Sequence, residues 1–227
     1  MPKYNWSTYN SLRTKLSSKF IRFNNLNKVN YSEASYYNHT RDIFCLTLLF
    51  NKKANRKTKI LDYGSNLLAL SNIKSKINEK LFSFSIYDPF YLKKYQKIKK
   101  PFKINLITRK EELKIKKFDI INFGSCLQYI DDLKSLKNHL NFKLVDTVSI
   151  TATPISLIKE YKLKQKNHKN LIQNIHSLEK IKKYFKKMGF NLIFKSAMDS
   201  KYIASQKKIK NIYSLNLIFS KKNNLLS

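Results

Sequence analysis

The sequence predicts an α/β protein: a doubly wound, mostly parallel seven-stranded sheet with helices on both faces, an antiparallel closing strand and an N-terminal helical cap. Three observations predict it. Short apolar runs alternate with stretches of helical periodicity, which is the pattern of a parallel sheet covered by helices. Several of those runs stop at Gly or Asp, the residues of strand-to-helix turns. Two apolar runs, one opening directly after Gly189, then close the chain with no helical pattern between them.

The elements follow in order. Residues 1–40 are polar, rich in Asn, Ser and Tyr, and hold the one tryptophan, Trp6; they read as an arm or cap. Residues 41–222 read as the main domain and 223–227 as a tail. Asp42–Phe50 is an apolar, helix-like run. Lys59–Tyr63 is a short buried strand that breaks at Gly64. Leu67, Leu70, Ile73, Ile77 and Leu81 then recur at helical spacing. Phe82–Tyr87 is a second strand, ending at Asp88-Pro89, where the proline suits the first turn of a helix over 90–98. Phe102–Ile107 and Phe118–Phe123 are the third and fourth strands. Leu127, Ile130, Leu133, Leu136 and Leu140 predict a second helical face. Thr147–Ala152 is a fifth strand, expected to close at Pro154, and 155–176 reads as polar and irregular. Ser177 caps a helix with Leu178, Ile181, Tyr184, Phe185 and Met188 on its apolar face, and Gly189 stops it. Phe190–Phe194 and Tyr213–Phe219 are the last strands.

Composition removes several function classes. The 227 residues suffice for one domain with a real core. Two cysteines, Cys45 and Cys126, exclude a disulfide framework and a Cys-based zinc site, and no metal cluster is expected. The longest apolar stretch, Ile43–Phe50, is far short of the roughly 20 residues of a membrane-spanning helix. No apolar core of a signal peptide is visible, so the expectation is a soluble, cytoplasmic protein. The net charge of +32 invites a nucleic-acid reading. However, the cations are 41 Lys against 5 Arg, beside 24 Asn and 24 Ile but only 3 Val. That is the signature of AT-rich coding, whereas readers of bases and phosphates favour the planar fork of Arg. Nucleic acid is therefore compatible but not favoured.

Ligands on doubly wound sheets bind beyond the carboxyl ends of the strands, where strand order reverses. That rule selects Asp62-Tyr63-Gly64-Ser65, Asp88-Pro89 and Gly124-Ser125-Cys126. A glycine there lets backbone approach a ligand, and the next helix offers unpaired N–H groups. A carboxylate after the second strand accepts both hydroxyl hydrogens of a ribose. Each has a bland alternative: a tight turn, a helix cap, an acid near a helix N-terminus. Their joint order raises the ligand reading.

Here the chain resembles the class I methyltransferases that use S-adenosylmethionine. The matching residues are Ile60-Leu61-Asp62-Tyr63-Gly64, Asp88, and Phe118-Asp119-Ile120-Ile121 through Leu127-Gln128-Tyr129-Ile130-Asp131, with the terminal strand pair. More narrowly it looks like small bacterial methyltransferases associated with surface-sugar biosynthesis, with Trp6 and Ser35-Tyr36-Tyr37 as counterparts of their N-terminal aromatics. The resemblance implies S-adenosylmethionine as cofactor, with contacts at Tyr37, Asp62, Tyr63, Gly64, Ser65, Asp88, Pro89, Gly124, Ser125 and Cys126. It implies methyl transfer to a small molecule or glycan precursor. The sulfonium is already activated, so alignment is the main task, and a base matters only for a hydroxyl or ammonium acceptor. His39, His168 and Tyr129 are the candidates for such a role, while His139 reads as a bland residue of a helix. The family's first motif usually carries two or three glycines, where this chain has Gly64-Ser65-Asn66. Two alternatives stay open: an RNA methyltransferase, and a binding module that has lost the cofactor.

Overall fold

The computed structural model describes residues 43–64, 77–88, 103–165, 168–197 and 211–221. The arm at 1–40, the tail, and most of the helices expected over 67–81 and 90–98 lie outside them, as do the domain boundaries at 40/41 and 222/223.

Seven strands form the main sheet: β1 (Thr58–Tyr63), β2 (Phe82–Tyr87), β3 (Ile104–Leu106), β4 (Ile120–Gly124), β5 (Thr147–Ser156), β8 (Asn191–Ala197) and β9 (Ile212–Ser220). Their order is β3-β2-β1-β4-β5-β9-β8. The first five are mutually parallel. β9 runs antiparallel to both β5 and β8. Strand order reverses between β1 and β4, so a crevice opens at their carboxyl ends.

Period-2 alternation distributes apolar side chains to two covering layers. Ile60 of β1 and Ile120 of β4 join Phe44 and Leu48 of helix α1 (43–50) on one face. Leu61 and Ile121 join the other face. There they meet Leu113 of helix α2 (Lys110–Ile115), Leu133 and Leu136, and Ile181 and Phe185 of helix α3 (Leu178–Lys186). Phe185 is the hub of that layer, with ring contacts to Phe142, Tyr184, Phe190 and Phe219. α3 begins and ends where the sequence places it: the Ser177 side chain accepts from Lys180 N–H, and Gly189 takes φ +83°.

Asp119, just before β4, fastens three segments. Its carboxylate takes two hydrogen bonds from Arg56, at 2.7 and 2.6 Å, and one from Lys59 N–H at 2.8 Å. Its carbonyl accepts from Asp146 and Thr147 at the start of β5.

The structure corrects the sequence reading at four places. The segment 127–140 is not an α-helix. It is a chain of tight 3₁₀ turns, Leu127–Tyr129 and Leu133–Asn138, followed by Phe142–Leu144. Asp132 and Asn141 side chains accept N–H groups two residues on and restart the backbone each time. The three-residue spacing of Leu133 and Leu136 suits a 3₁₀ turn as well as an α-helix. β5 does not close at Pro154 but runs to Ser156. Its pairing with β4 ends at Thr151, so Pro154 removes no donor from that ladder. A bulge between Ile150 and Thr153 bends it there, with Ala152 at φ +49° and its N–H taken by the Asn216 side chain. The stretch 155–176 holds a second sheet, the hairpin β6 (Tyr161–Gln165) and β7 (His168–Ile175). Finally, α2 is a helix the sequence reading did not contain.

Candidate active site

The carboxyl ends of β1, β2 and β4 converge on one cavity of about 360 Å³, within the range of pockets that hold drug-sized ligands, about 300–1,000 Å³. Tyr63 and Gly64 reach it from β1, Asp88 from β2 and Cys126 from β4. Tyr129, Ile130, Asp131, Asp132, Ser135, Leu136 and His139 form the wall after β4, and Lys110, at the start of α2, also lines it.

The β1 turn is built around Gly64. Its N–H bonds the Tyr87 carbonyl at 2.8 Å, extending the parallel ladder one step past the strands. Its φ is +70°, in the left-handed region. A Cβ at this position would lie 2.6 Å from Cys126 Cβ. Only glycine therefore lets the β1 turn and the β4 turn touch. The contact is sealed by the Cys126 thiol, which donates to the Tyr63 carbonyl at 3.1 Å. Ser125 between Gly124 and Cys126 also takes a positive φ, +54°.

Asp88 is buried immediately after β2, with its residue on the cavity wall. Asp62 behaves differently. It is fully buried and accepts a 2.8 Å hydrogen bond from Asn122 on β4, so it ties the two central strands together one residue below the cavity. It is not among the residues that line it. Gly124 and Ser125 likewise shape the turn without lining the cavity. Tyr129 lines it. His168 opens β7, and its side chain is outside the described atoms. His39, Tyr37, Ser65 and Pro89 lie outside the described residues.

His139, read from the sequence as a bland residue, belongs to this wall. It is buried in the cavity wall, 3.0 Å from the Tyr63 hydroxyl through Nε2, with the two rings stacked. Burial, reinforced by the charge of Lys110, pushes its pKa down to about 4. Burial likewise raises the Tyr63 phenol far above its ordinary value. The phenol thus keeps its proton and is hydrogen-bonded to a neutral imidazole. The signal was present: Asp132, Ser135, Leu136 and His139 recur at three- and four-residue spacing and so share one face. Lys110 was legible too, had the strand-end rule been applied after β3.

The cavity is acidic in a chain of the opposite sign. Among the described residues, Asp88, Asp131 and Asp132 line it against one lysine, Lys110. Such a wall favours a ligand with positive charge. Among the described residues, no group of three His, Cys, Asp or Glu side chains is placed to hold a metal ion. No described helix is long and apolar enough to cross a membrane.

No family model matches the sequence, and no curated protein matches it either. Solved structures do match in fold. The plantazolicin methyltransferase BpumL, in complex with S-adenosylhomocysteine and a substrate analogue, superposes with a TM-score of 0.55 at 12% identity, over 95% of this chain and 92% of its own. The 1,6-didemethyltoxoflavin N1-methyltransferase of Burkholderia thailandensis gives 0.54 at 11% identity, over 94% and 90%. The magnesium protoporphyrin IX methyltransferase of Synechocystis gives 0.54 at 13%, over 91% and 95%. The fold is therefore the methyltransferase-like α/β fold, with a mostly parallel seven-stranded sheet and an antiparallel closing strand.

Proposed function

We propose that the chain is an S-adenosylmethionine-dependent methyltransferase, with the cofactor held in the cavity at the ends of β1, β2 and β4. The observation that carries this is a convergence. Asp88, the Gly64 turn and the Cys126 turn meet at the point where strand order reverses, around a cavity with an acidic wall. Several fold neighbours are methyltransferases solved with S-adenosylhomocysteine, which supports the same reading.

The residues fit the group. Asp88, on the cavity wall after β2, would accept the ribose hydroxyls, and Asp131 and Asp132 would complement its positive charges. When bound, the cofactor supplies an activated methyl sulfonium, and the protein's task is orientation. Tyr63 and His139 stiffen the wall: stacked and hydrogen-bonded to each other, they leave Nε2 engaged rather than available as a base.

The acceptor we favour is a small molecule, extending to a glycan precursor. One fold neighbour is an N1-methyltransferase solved with the small molecule 1,6-didemethyltoxoflavin bound. The run after β4, Gly124-Ser125-Cys126-Leu127, lacks the Asn-Pro-Pro-Tyr pattern of enzymes that hold an exocyclic amine. Both cysteines are buried and neither forms a disulfide, which suits a reducing, cytoplasmic setting.

The test is a pair of titrations with S-adenosylhomocysteine, on the wild type and on Asp88→Ala. Hydrogen bonds to a charged acceptor contribute about 1.5–3 kcal/mol, so affinity should fall at least about tenfold. Unchanged affinity with the fold intact would remove Asp88 from the site.

A further inference from the structure

The β6–β7 hairpin is more than an insertion beside the cavity. Three residues at its inner end each bond one of three consecutive wall residues. Gln173 Nε2 donates to the Tyr129 hydroxyl at 3.3 Å. His176 Nε2 donates to the Ile130 carbonyl at 3.0 Å. Asn174 Nδ2 donates to the Asp131 carboxylate at 2.9 Å. All three donors are buried, at 4%, 2% and 5% exposure. A buried donor left without its acceptor keeps its full desolvation penalty, so hairpin and wall are held in one arrangement. Among the described residues, the apolar cluster at the hairpin has two buried members, Ile175 of β7 and Ile212 of β9, with Tyr161 and Leu163 partly buried against them.

We propose that β7 is a positioning element of the ligand site: Gln173, Asn174 and His176 set where Tyr129, Ile130 and Asp131 stand in the cavity. These residues act through the wall and are not catalytic. Among the described residues the wall after β4 is itself built of short 3₁₀ turns rather than a regular helix, so the clamp adds to the core packing of Leu133 and Leu136 in fixing it. The ligand part of the inference rests on the cofactor reading above; the clamp does not.

The experiment uses the full chain, with Asn174→Ala, the shape-conserving Gln173→Leu, and Lys162→Ala on the exposed side of β6 as control. The first readout is amide hydrogen exchange. The clamp predicts exchange over residues 127–133 faster by about tenfold in Asn174→Ala, with β1, β4 and β5 unchanged and no effect of Lys162→Ala. The second readout is calorimetric affinity for S-adenosylhomocysteine, expected to fall several-fold in both hairpin variants. Asn174→Ala should cost nothing further in an Asp131→Ala background, since its only route is through that carboxylate. Unchanged exchange at 127–133 would overturn the clamp. Faster exchange spread over the whole sheet would also overturn it, making the hairpin a stability element. Faster local exchange with unaltered affinity would overturn the positioning of the ligand. A wild type that binds no S-adenosylhomocysteine would sink the cofactor reading instead, and the exchange data alone would then decide the clamp.

Discussion

Gly64 shows how one residue position joins sequence, fold and site. Its left-handed φ and the 2.6 Å approach to Cys126 are separate demands for the same residue. Gly64→Ala should therefore cost about 2–4 kcal/mol, adding left-handed strain to overpacking, and urea denaturation would show it as a lower midpoint. His139 gives a second residue-scale prediction. Its pKa is about 4 in the fold, held down by burial and by Lys110, against an ordinary 6.5. The unfolded chain then takes up a proton near pH 6.5 while the native chain does so only near 4. Between those values the unfolded state binds more protons, so stability falls as pH is lowered through that window. His139→Gln should flatten this part of the stability profile, measured by urea midpoints at intervals from pH 7 to 4. A parallel decline in both proteins would show that His139 is not the group responsible. Asp88 and Gly64 were legible because strand-end position is a topological property. The spacing of Asp132, Ser135, Leu136 and His139 was legible, but the contact of His139 with Tyr63 was not, because it depends on the 3₁₀ turns that replace the expected helix.

Elements were legible in proportion to how local their signals are. α3 is specified by Ser177, its apolar stripe and Gly189, all within thirteen residues, and the structure follows them. Ser177→Ala should destabilise by about 1 kcal/mol, the usual effect of losing an N-cap, read as a lower thermal midpoint. The buried strands β1, β2 and β4 announce themselves as apolar runs. β5 beyond Pro154 does not, because the proline is tolerated only through the end of β4 pairing and a bulge repaired by Asn216, sixty-four residues away. The hairpin had a faint signal, Tyr161 and Leu163 alternating with exposed Lys162 and Lys164, hidden under the lysine background. Asp119 read as part of a motif, and the structure shows why such an acid is useful there. It pins β1 to β4 through Arg56 and Lys59 N–H. Burial alone would raise its pKa, but the hydrogen bonds from Arg56 and Lys59 outweigh that and hold it below the usual value. Asp119→Ala should cost about 2–4 kcal/mol, as expected for deleting a buried, multiply bonded carboxylate, again by denaturation.

At the scale of the whole molecule, the doubly wound, mostly parallel sheet with its antiparallel closing strand was readable because β–α alternation leaves few topologies. The charge was harder to read. A value of +32 spread over the chain surrounds a cavity whose wall carries three carboxylates. General cation enrichment thus coexists with a local site of the opposite sign, which suits a cationic ligand inside and compositional lysines outside. Any binding of RNA by such a surface should be salt-sensitive and indifferent to sequence. Filter binding between 50 and 200 mM salt, with unrelated RNAs compared, should show a steep loss common to all of them. A tight, salt-resistant preference for one RNA would favour the RNA methyltransferase reading.

The central claim is that the crevice at β1, β2 and β4 holds S-adenosylmethionine despite the single glycine of Gly64-Ser65-Asn66. Calorimetric titration of the purified, folded chain with S-adenosylmethionine and S-adenosylhomocysteine tests it most directly. The account predicts saturable one-site binding in the micromolar range to both. Folded protein that takes up neither would contradict it, and would leave a methyltransferase fold serving as a binding module.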